Sequence, residues 1–369
     1  MTAILHLSQP TDAGVAKVVL DLCRSQLAAG HIVTVACPRG PLHDRLVAAG
    51  VPWQLWRASR QPGPWLLREM HAVRTLVERV RPDLVHLHSS KAGLAGRLAL
   101  RGETPTVFQP HAWSFEAADG LLALASTWWE RRASRWTDAL LCCSTQELRT
   151  GLTVGVRAPA RVVLNGTLLP AETDLARWRT AVRQALQLGT DVPVAITVGR
   201  LCRQKGQDVA FRAWPLIRHR HPDAVLLVVG DGPDAWNLRR SAPRGVRLIG
   251  ARSDVTALYA AADVAILPSR WEGLSLALLE GMAAGLPTVA TAVGGSREVL
   301  QEGPAAPGGV VVPPEDPRRL AQATASLFSH RDLATALGAG ARERAARVYT
   351  PEATAGAVEE VYRSVLAAS

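Results

Sequence analysis

Short hydrophobic runs alternate with longer amphipathic stretches along the whole chain. The short runs are rich in valine, isoleucine and leucine and are bounded by polar residues, glycine or proline, which is typical of buried β-strands. Between them lie segments whose apolar residues recur at helical spacing. Strands that alternate with helices over connections this long predict parallel sheets with helices on both faces.

The alternation occurs once in each half of the chain. In the first half the predicted strands are residues 4–7, 32–37, 84–87, 106–108 and 140–143, and the clearest helices are 15–29 and 64–80. In the second half the predicted strands are 194–198, 225–229, 246–249, 264–267, 288–290 and 310–312, and the clearest helices are 207–219 and 274–284. The sequence therefore predicts two doubly wound α/β lobes.

The length of the chain agrees with two lobes. At 369 residues it is about twice the usual size of a single hydrophobic core. We expect a first lobe over residues 1–170 and a second over 171–350, with a hinge in residues 166–178 where no strand pattern crosses. The last segment, 351–369, contains an amphipathic helix over 351–366 that we expect to pack across the lobe junction. In such sheets ligands bind at the carboxyl ends of the strands, so we expect a central cleft lined by post-strand residues.

Composition and charge narrow the class of protein. A chain that is 48% hydrophobic and 20% charged is neither disordered nor fibrous. The net charge is +10, but only three lysines contribute, so the basic excess follows an arginine bias and does not indicate a nucleic-acid partner. Residues 1–170 carry +7 of that charge and seven of the eleven tryptophans. This bias favours an anionic or membrane-surface partner for the first lobe, the alternative being a solvated basic face.

Localisation and redox state are predicted from what the sequence lacks. No apolar run reaches the ~18 residues that span a bilayer, and the opening residues lack a basic segment before their apolar run. We therefore expect a cytoplasmic protein. The five cysteines form no C-x-x-C pair, which favours buried reduced thiols over a disulfide framework or a zinc site.

Two cations follow the predicted strand at 194–198. Arg200 and Lys205 lie in a glycine-flanked turn that leads into the 207–219 helix. A helix N-terminus together with a guanidinium and an ammonium group can bind a diphosphate without a metal ion. The alternative is a solvated basic turn.

Two carboxylates follow the predicted strand at 264–267. Glu272 stands before Gly273 at the predicted start of the 274–284 helix, and Glu280 lies eight positions later on the same side of that helix. They could bind hydroxyl groups of an elongated ligand while first-turn N–H groups bind its anionic oxygens. The alternative is two solvated charges, but the apolar neighbours of Glu280 would make an unpaired carboxylate costly. Gly230 lies in a glycine-rich strand exit that also suits a plain turn.

The first lobe carries fewer candidates. Gly14 opens the first helix and would allow close backbone approach to a phosphate, and His111 follows the strand at 106–108. His111 has a structural role as its alternative. His86 and His88 share one face of a strand, and we favour packing and a cleft-edge hydrogen bond over metal binding because no third ligand is visible.

Taken together, these segments resemble the family-4 retaining glycosyltransferases, which have the GT-B fold. The most specific match is Glu272 with Glu280, followed by Ala283-Ala284-Gly285-Leu286-Pro287. The other matching segments are residues 14–17, 83–88, 144–147, 163–166, 199–206 and 230–233. The resemblance covers nearly the whole chain, with one departure: the family often has two glycines at the first turn, and the first is Ala13 here.

The resemblance implies a first lobe that binds the acceptor and a second that binds a nucleotide-sugar. It implies that Arg200 and Lys205 bind the diphosphate, that Glu280 holds the ribose, and that Glu272 grips the donor sugar. The remaining roles implied are sugar contacts from the backbone of Gly273, Leu274 and Ser275, the reaction centre for His111, the distal phosphate for Gly14, a strand-exit contact for Gly230 and the base for Arg252.

The resemblance also implies retention of anomeric configuration, transfer to a hydroxyl acceptor that is lipid-linked or a small molecule, and no required cofactor or metal ion. A UDP-sugar is the first expectation for the donor and a GDP-sugar the second. A sugar-nucleotide epimerase of the same fold and a non-catalytic nucleotide-sugar-binding protein stay open, whereas no G-x-G-x-x-G motif supports a nicotinamide dehydrogenase.

Three stretches interleave tryptophan with arginine, at residues 53–57, 65–68 and 128–136. Such stretches can lie in an anionic headgroup layer, so peripheral contact with the inner face of the membrane is one expectation. The alternative is that the tryptophans pack inside the lobe while the arginines are solvated, and for 128–136 we favour that alternative.

Overall fold

The computed structural model describes residues 1–60 and 62–368. The chain forms two compact units. The first comprises Met1–Asn165 together with the C-terminal segment from Pro351, and the second comprises Gly166–Thr350.

The first unit is built on a parallel sheet flanked by helices. Its strands are β1 (Ala3–Ser8), β2 (Ile32–Cys37), β3 (Trp53–Leu55), β4 (Leu84–His88), β5 (Thr106–Gln109), β6 (Ala139–Cys142) and β7 (Ala160–Val162). Its helices up to residue 165 are α1 (Ala13–Ala28), α2 (Pro41–Ala48), α3 (Leu66–Val80), α4 (Ser89–Leu100), α5 (Gly120–Ala133) and α6 (Thr145–Thr153). The central strands are buried on both faces because helices cover both.

The second unit repeats this plan. Its strands are β8 (Val194–Val198), β9 (Val225–Val229), β10 (Val246–Gly250), β11 (Val264–Leu267), β12 (Thr288–Thr291) and β13 (Gly309–Val312). Its helices are α7 (Glu172–Ala185), α8 (Gln207–Arg220), α9 (Ala235–Ser241), α10 (Val255–Ala261), α11 (Leu276–Ala283), α12 (Ser296–Gln301), α13 (Pro317–Ser329) and α14 (Arg331–Val348). A single 3-10 turn, Arg203–Lys205, lies between β8 and α8.

Each sheet reverses its strand order once. The first sheet has the order β3-β2-β1-β4-β5-β6-β7, and the second has the order β10-β9-β8-β11-β12-β13. The reversals therefore lie between β1 and β4 and between β8 and β11. In open parallel sheets the crevice at the carboxyl end of such a switch point is where ligands bind. The doubly wound parallel architecture predicted from the sequence is confirmed in both units.

Helix α15 (Pro351–Ala368) belongs to the first unit, although the chain reaches it only after the whole second unit. It packs against α1, and its buried Tyr362 lies among the side chains of β4 and α1. Packing of this helix across the junction stays a prediction.

The predicted hinge, residues 166–178, begins directly after the first unit and stays a prediction. Helix α7 begins at Glu172, inside the 166–178 stretch, and the first unit ends at Asn165. The sequence pattern placed the break at Pro170, but Gly166–Pro170 lies with the second unit, where the Arg342 guanidinium donates to the Pro170 carbonyl oxygen at 2.7 Å.

All five cysteines are free thiols, and four of them are buried, as predicted; Cys202 is half-buried. Over residues 1–60 and 62–368, every helix falls short of the length and hydrophobicity that a transmembrane segment needs.

Candidate active site

Two loops meet at the switch point of the second sheet. One leaves β8 and contains Gly199 to Lys205, and the other leaves β11 and leads to α11. The backbone N–H of Arg270 donates to the Gln204 carbonyl oxygen at 2.7 Å, and the Gln204 side-chain amide donates to the Trp271 carbonyl oxygen at 3.1 Å. These bonds fix the two loops to each other.

An ion pair links the same two loops. The Lys205 ammonium donates to Glu272 Oε1 at 2.5 Å, and the Ser269 hydroxyl donates to the same oxygen at 2.8 Å. The Glu272 side chain is nearly buried, whereas that of Lys205 keeps 20% exposure. The structure thus brings together a cation and a carboxylate that the sequence placed 67 residues apart.

Two glycines permit this close packing. A Cβ on Gly206 would lie 2.1 Å from the Pro268 carbonyl oxygen, and a Cβ on Gly230 would lie 2.0 Å from the Gly199 carbonyl oxygen. Both also have left-handed φ values, of +65° and +141°. Gly230 is therefore required by the backbone of the β8 loop, and its predicted contact with a ligand stays a prediction.

The segment after Glu272 is a buried loop rather than the first turn of a helix. Helix α11 begins at Leu276, so the prediction that Glu272 and Glu280 share one face of a single helix was wrong. Gly273 and Leu274 are buried in this loop, which packs so closely on Gly294 that a Cβ there would lie 2.4 Å from the Glu272 carbonyl oxygen.

Ser275 stands at the N-cap position of α11. Its side chain makes no capping bond, and its hydroxyl oxygen is buried with no hydrogen-bond partner among the described residues. A buried hydroxyl group without a partner is costly, and a bound polar ligand would satisfy it. Glu280, further along the helix, is half-buried.

The other two predicted cations of this unit have different surroundings. Arg200 is half-buried directly after β8, and its carbonyl oxygen accepts a hydrogen bond from Gln207 at 3.0 Å. Arg252 is exposed after the edge strand β10, two strands from β8, and makes two hydrogen bonds of 2.8 Å to the Asp254 carboxylate. Those bonds raise the pKa of Arg252.

In the first unit, Gly14 lies in the first turn of α1, directly after β1. The preceding residue, Ala13, has a left-handed φ of +55°. The alanine that replaces the family's glycine therefore still adopts a glycine-like backbone, at a cost of about 1 kcal/mol.

His111 follows β5 on a strained turn. Its φ is +55° and that of Ala112 is +107°, and such strain in residues other than glycine is typical of functional sites. The Glu147 carboxylate holds the turn by accepting hydrogen bonds from the N–H groups of Ala112 at 2.7 Å and Cys143 at 2.6 Å. Burial raises the pKa of Glu147. Enclosure by protein atoms lowers the pKa of His111 to about 3, although the side chain keeps partial exposure.

His86 and His88 have a third histidine beside them, contrary to the sequence analysis. His6 on β1 is in register with His86 on β4, and ring nitrogens of the three lie within 4.8 Å of one another, close enough to share a metal ion. His6 and His88 are hydrogen-bonded to each other at 2.9 Å. All three rings are buried, and the preference for packing over metal binding stays a prediction.

Comparison with known proteins identifies the family. Residues 13–166 match the model of the glycosyl transferase 4-like domain, and residues 192–330 match that of the glycosyl transferases group 1. The D-inositol 3-phosphate glycosyltransferase of Kineococcus radiotolerans is 31% identical over 361 residues, which is 86% of this chain and 80% of that protein. The chain belongs to the group 1 glycosyltransferases.

One further relative and one solved structure are also similar to this chain. The UDP-Gal:alpha-D-GlcNAc-diphosphoundecaprenol alpha-1,3-galactosyltransferase of Escherichia coli is 28% identical over 248 residues, 63% of each chain. The crystal structure of Anabaena Alr3699/HepE in complex with UDP and glucose superposes with a TM-score of 0.84 at 20% identity and covers 99% of this chain and all of that one. The fold is therefore GT-B, as the resemblance implied.

The predicted site residues of the glycosyltransferase are divided between the two units. Gly14 and His111 follow β1 and β5 of the first unit, and the others lie in the second unit. Sequence reasoning missed His6, Ser269 and Gly294, and it included Glu147 in the matching segment 144–147 without giving it a role. Ser144-x-x-Glu147 has the spacing of a capping box, which could have drawn attention to Glu147, although its carboxylate holds the His111 turn instead.

Proposed function

We propose that this glycosyltransferase moves a sugar from a nucleoside-diphosphate sugar to a hydroxyl acceptor with retention of anomeric configuration. The observation that carries the proposal is the Lys205–Glu272 pair at the β8/β11 switch point. The pair would supply a cation for a leaving diphosphate beside a carboxylate for the sugar, and the Ser275 hydroxyl lacks a partner among the described residues.

The reaction breaks the bond between the anomeric carbon and the diphosphate oxygen. Positive charge develops on the sugar ring and negative charge on the leaving group, so fixed cations at the diphosphate, Lys205 and Arg200, lower the barrier most. The acceptor oxygen attacks the same face of the sugar, and its proton moves to the departing phosphate oxygen. Glu272 and His111 then orient and stabilise the sugar, and no metal ion or protein base is required.

The remaining residues would bind the donor. Glu280 would hold the ribose, Arg252 would frame the base, and Gly14 would touch the distal phosphate. The backbone of residues 273–275 would contact the sugar, with the Ser275 hydroxyl as a further donor or acceptor. The name of the E. coli relative and the HepE complex both include UDP, which supports a UDP-sugar as the donor. A GDP-sugar is the second candidate.

A thermal-shift screen with UDP-, GDP- and ADP-sugars tests donor binding. Ligand at a hundred times its dissociation constant should stabilise the protein by ~2.7 kcal/mol.

Glu280→Ala should weaken binding of the preferred nucleotide by about tenfold or more, because each ribose hydroxyl would lose its hydrogen bond to the carboxylate. Glu280→Asp should weaken binding less.

Calorimetry on the three proteins gives the affinities. Equal affinity of all three would contradict the ribose role, and no shift with any nucleotide-sugar would contradict the proposed function. Release of an epimerised donor without an acceptor would indicate an epimerase, and binding without turnover a non-catalytic protein. Nuclear magnetic resonance of the product gives its anomeric configuration.

For the acceptor we propose a lipid-linked molecule bound while the first unit lies on an anionic membrane surface. Helix α5 presents Leu121, Leu124 and Trp128 at helical spacing, and each is more than 60% exposed. The exposed Arg132 and Arg135 lie at the C-terminal end of this face. Exposed apolar residues beside arginines fit the headgroup layer of an anionic lipid surface.

The tryptophans of the three Trp/Arg stretches differ in how far they are exposed. Trp56 is fully buried and Trp53 is half-buried, so the two tryptophans of residues 53–57 pack inside the unit, whereas Arg57 is exposed. In 128–136, Trp129 and Trp136 pack on each other with ring centres 6.2 Å apart, as the favoured alternative expected, but Trp128 is exposed. In 65–68, Trp65 is 55% exposed, and the Arg68 guanidinium lies 4.7 Å from its ring centre. The α5 face and Trp65 are therefore the exposed parts of these stretches that support membrane contact.

Liposome flotation tests this surface. We expect the protein to float with vesicles that contain anionic lipid at low salt, and the double variant Leu124→Glu with Trp128→Glu to bind at least about tenfold more weakly, because two apolar side chains leave the interface. Trp236→Glu is the matched control, since Trp236 is equally exposed at 64% but lies on α9 of the second unit. If wild-type protein does not float, a small soluble hydroxyl compound becomes the leading acceptor.

A further inference from the structure

A series of hydrogen bonds within the first unit links Gln26 to His111. His6 Nε2 lies 2.7 Å from Gln26 Oε1, and His6 Nδ1 lies 2.9 Å from His88 Nε2. His88 Nδ1 in turn lies 3.2 Å from His111 Nε2. The series therefore joins α1, β1, β4 and the strained turn after β5, all within one unit.

The three histidines in this series of hydrogen bonds, His6, His88 and His111, are neutral at physiological pH. Burial lowers the pKa of His6 to about 4 and that of His111 to about 3, and it lowers the pKa of His88 well below its ordinary value. A neutral imidazole has one N–H and one lone pair. Each ring can thus donate from one nitrogen only, and the first bond of the series fixes the direction of all the others.

Gln26 Oε1 is an acceptor, so His6 must donate from Nε2 and accept at Nδ1. His88 then donates from Nε2 and accepts at Nδ1, and His111 donates from Nε2. The only tautomer of His111 that fits this order has its proton on Nε2 and a lone pair on Nδ1.

A second branch starts at the nitrogen of the same Gln26 amide. Gln26 Nε2 donates to the Tyr362 hydroxyl oxygen at 3.4 Å, and that oxygen lies 2.6 Å from His86 Nδ1. Rotation of the amide by half a turn would set its N–H₂ group against His6 and reverse both branches. Tyr362 on α15 is thus part of the same network.

We propose that Gln26 is a positioning residue that fixes the tautomer of His111 through His6 and His88. The Nδ1 lone pair that results makes His111 a hydrogen-bond acceptor for a hydroxyl group of its ligand. The identity of that ligand as the donor sugar rests on the proposed function, whereas the tautomer does not.

Long-range proton–nitrogen correlation spectra of the full chain, labelled with ¹⁵N-histidine and free of nucleotide, test the proposal. The signal of His111 is assigned by its loss in His111→Asn. We expect the pattern of a neutral ring protonated at Nε2. In Gln26→Met, which removes the acceptor at similar volume, we expect both tautomers to be populated. Gln184→Met, the same change on the exposed side of α7, should leave the signal unaltered.

Tyr362→Phe gives a second route should Gln26→Met not fold. It removes the hydroxyl that orients the amide and keeps the ring, so the preference of His111 for Nε2–H should weaken. His111 protonated at Nδ1 in the wild type would overturn the proposal, and so would a signal unchanged in both variants. One bound metal ion per chain, measured by elemental analysis, would also overturn it, because coordination by His6 and His88 would replace their mutual hydrogen bond.

Kinetics separates this inference from the proposed function. With an active donor and acceptor, Gln26→Met should lower kcat by about tenfold, the equivalent of one lost hydrogen bond, and leave KM for the donor within a factor of two or three. The Nε2–H tautomer without any sugar transfer would contradict only the proposed function. An unchanged kcat together with a changed tautomer would contradict the acceptor role of Nδ1.

Discussion

Lys205→Ala is expected to lower the rate of sugar transfer by about a hundredfold or more. The ammonium group would lose its role at the leaving diphosphate, where negative charge increases in the transition state. Its present partner is Glu272 at 2.5 Å, so a bound diphosphate would share the cation with that carboxylate. Initial rates at saturating donor and acceptor measure the effect.

Arg203→Ala is the matched control for Lys205→Ala. Arg203 lies in the same 3-10 turn but is exposed, so its removal should change the rate far less. Circular dichroism melting checks the fold, because Lys205→Ala leaves the nearly buried Glu272 carboxylate with Ser269 as its hydrogen-bond donor. Kinetics close to those of the wild type in a folded Lys205→Ala protein would contradict the diphosphate role, and we expect Arg200→Ala to behave like Lys205→Ala.

Glu130→Ala is expected to destabilise the first unit by about 3–5 kcal/mol. Arg97 Nη2 donates to Glu130 Oε2 at 2.7 Å, and both side chains are only 1% exposed. The guanidinium lies 3.9 Å from the Phe108 ring centre and also donates to the Gly93 carbonyl oxygen. Removal of Glu130 would leave a buried charge without its carboxylate partner, and a thermal melt should show the transition of the first unit lowered by roughly 10 °C.

Two further variants show whether burial is the cause. Asp174→Ala removes the exposed pair of Asp174 with Arg177, and it should cost less than about 1 kcal/mol. The double variant Arg97→Met with Glu130→Leu replaces both charges by apolar groups and should recover most of the lost stability. If Glu130→Ala cost no more than Asp174→Ala, the buried pair would have no special role in stability.

The sequence predicted the central strands well because they are buried on both faces. Residues 194–198, 225–229 and 264–267 form β8, β9 and β11 with the predicted ends. The short edge strands β3 and β7 were missed, since three residues carry too little hydrophobic pattern. Helix α11 begins two residues later than predicted because Leu274 is buried in the preceding loop, so its apolar side chain does not mark a helical position.

Site residues were predicted where they directly follow a recognisable strand. They were missed where their role depends on how two strands align. Lys205 and Glu272 each follow a strand, and the doubly wound topology brings such loops together. His6 became part of the histidine cluster only through the register of β1 with β4, which the sequence does not encode locally. The Glu147 contact with the His111 turn depends in the same way on where β6 places α6 beside β5.

The position of α15 in the first unit has a consequence for biosynthesis. As the nascent chain leaves the ribosome, residues 166–350 can collapse into their own core before residues 351–368 have emerged. The strands of the first sheet are made earlier, but until then α1 lacks its packing partner α15. Gln26 and His86 also lack their contacts with Tyr362. The unit whose sheet precedes residues 166–350 in the chain is thus the last to be completed.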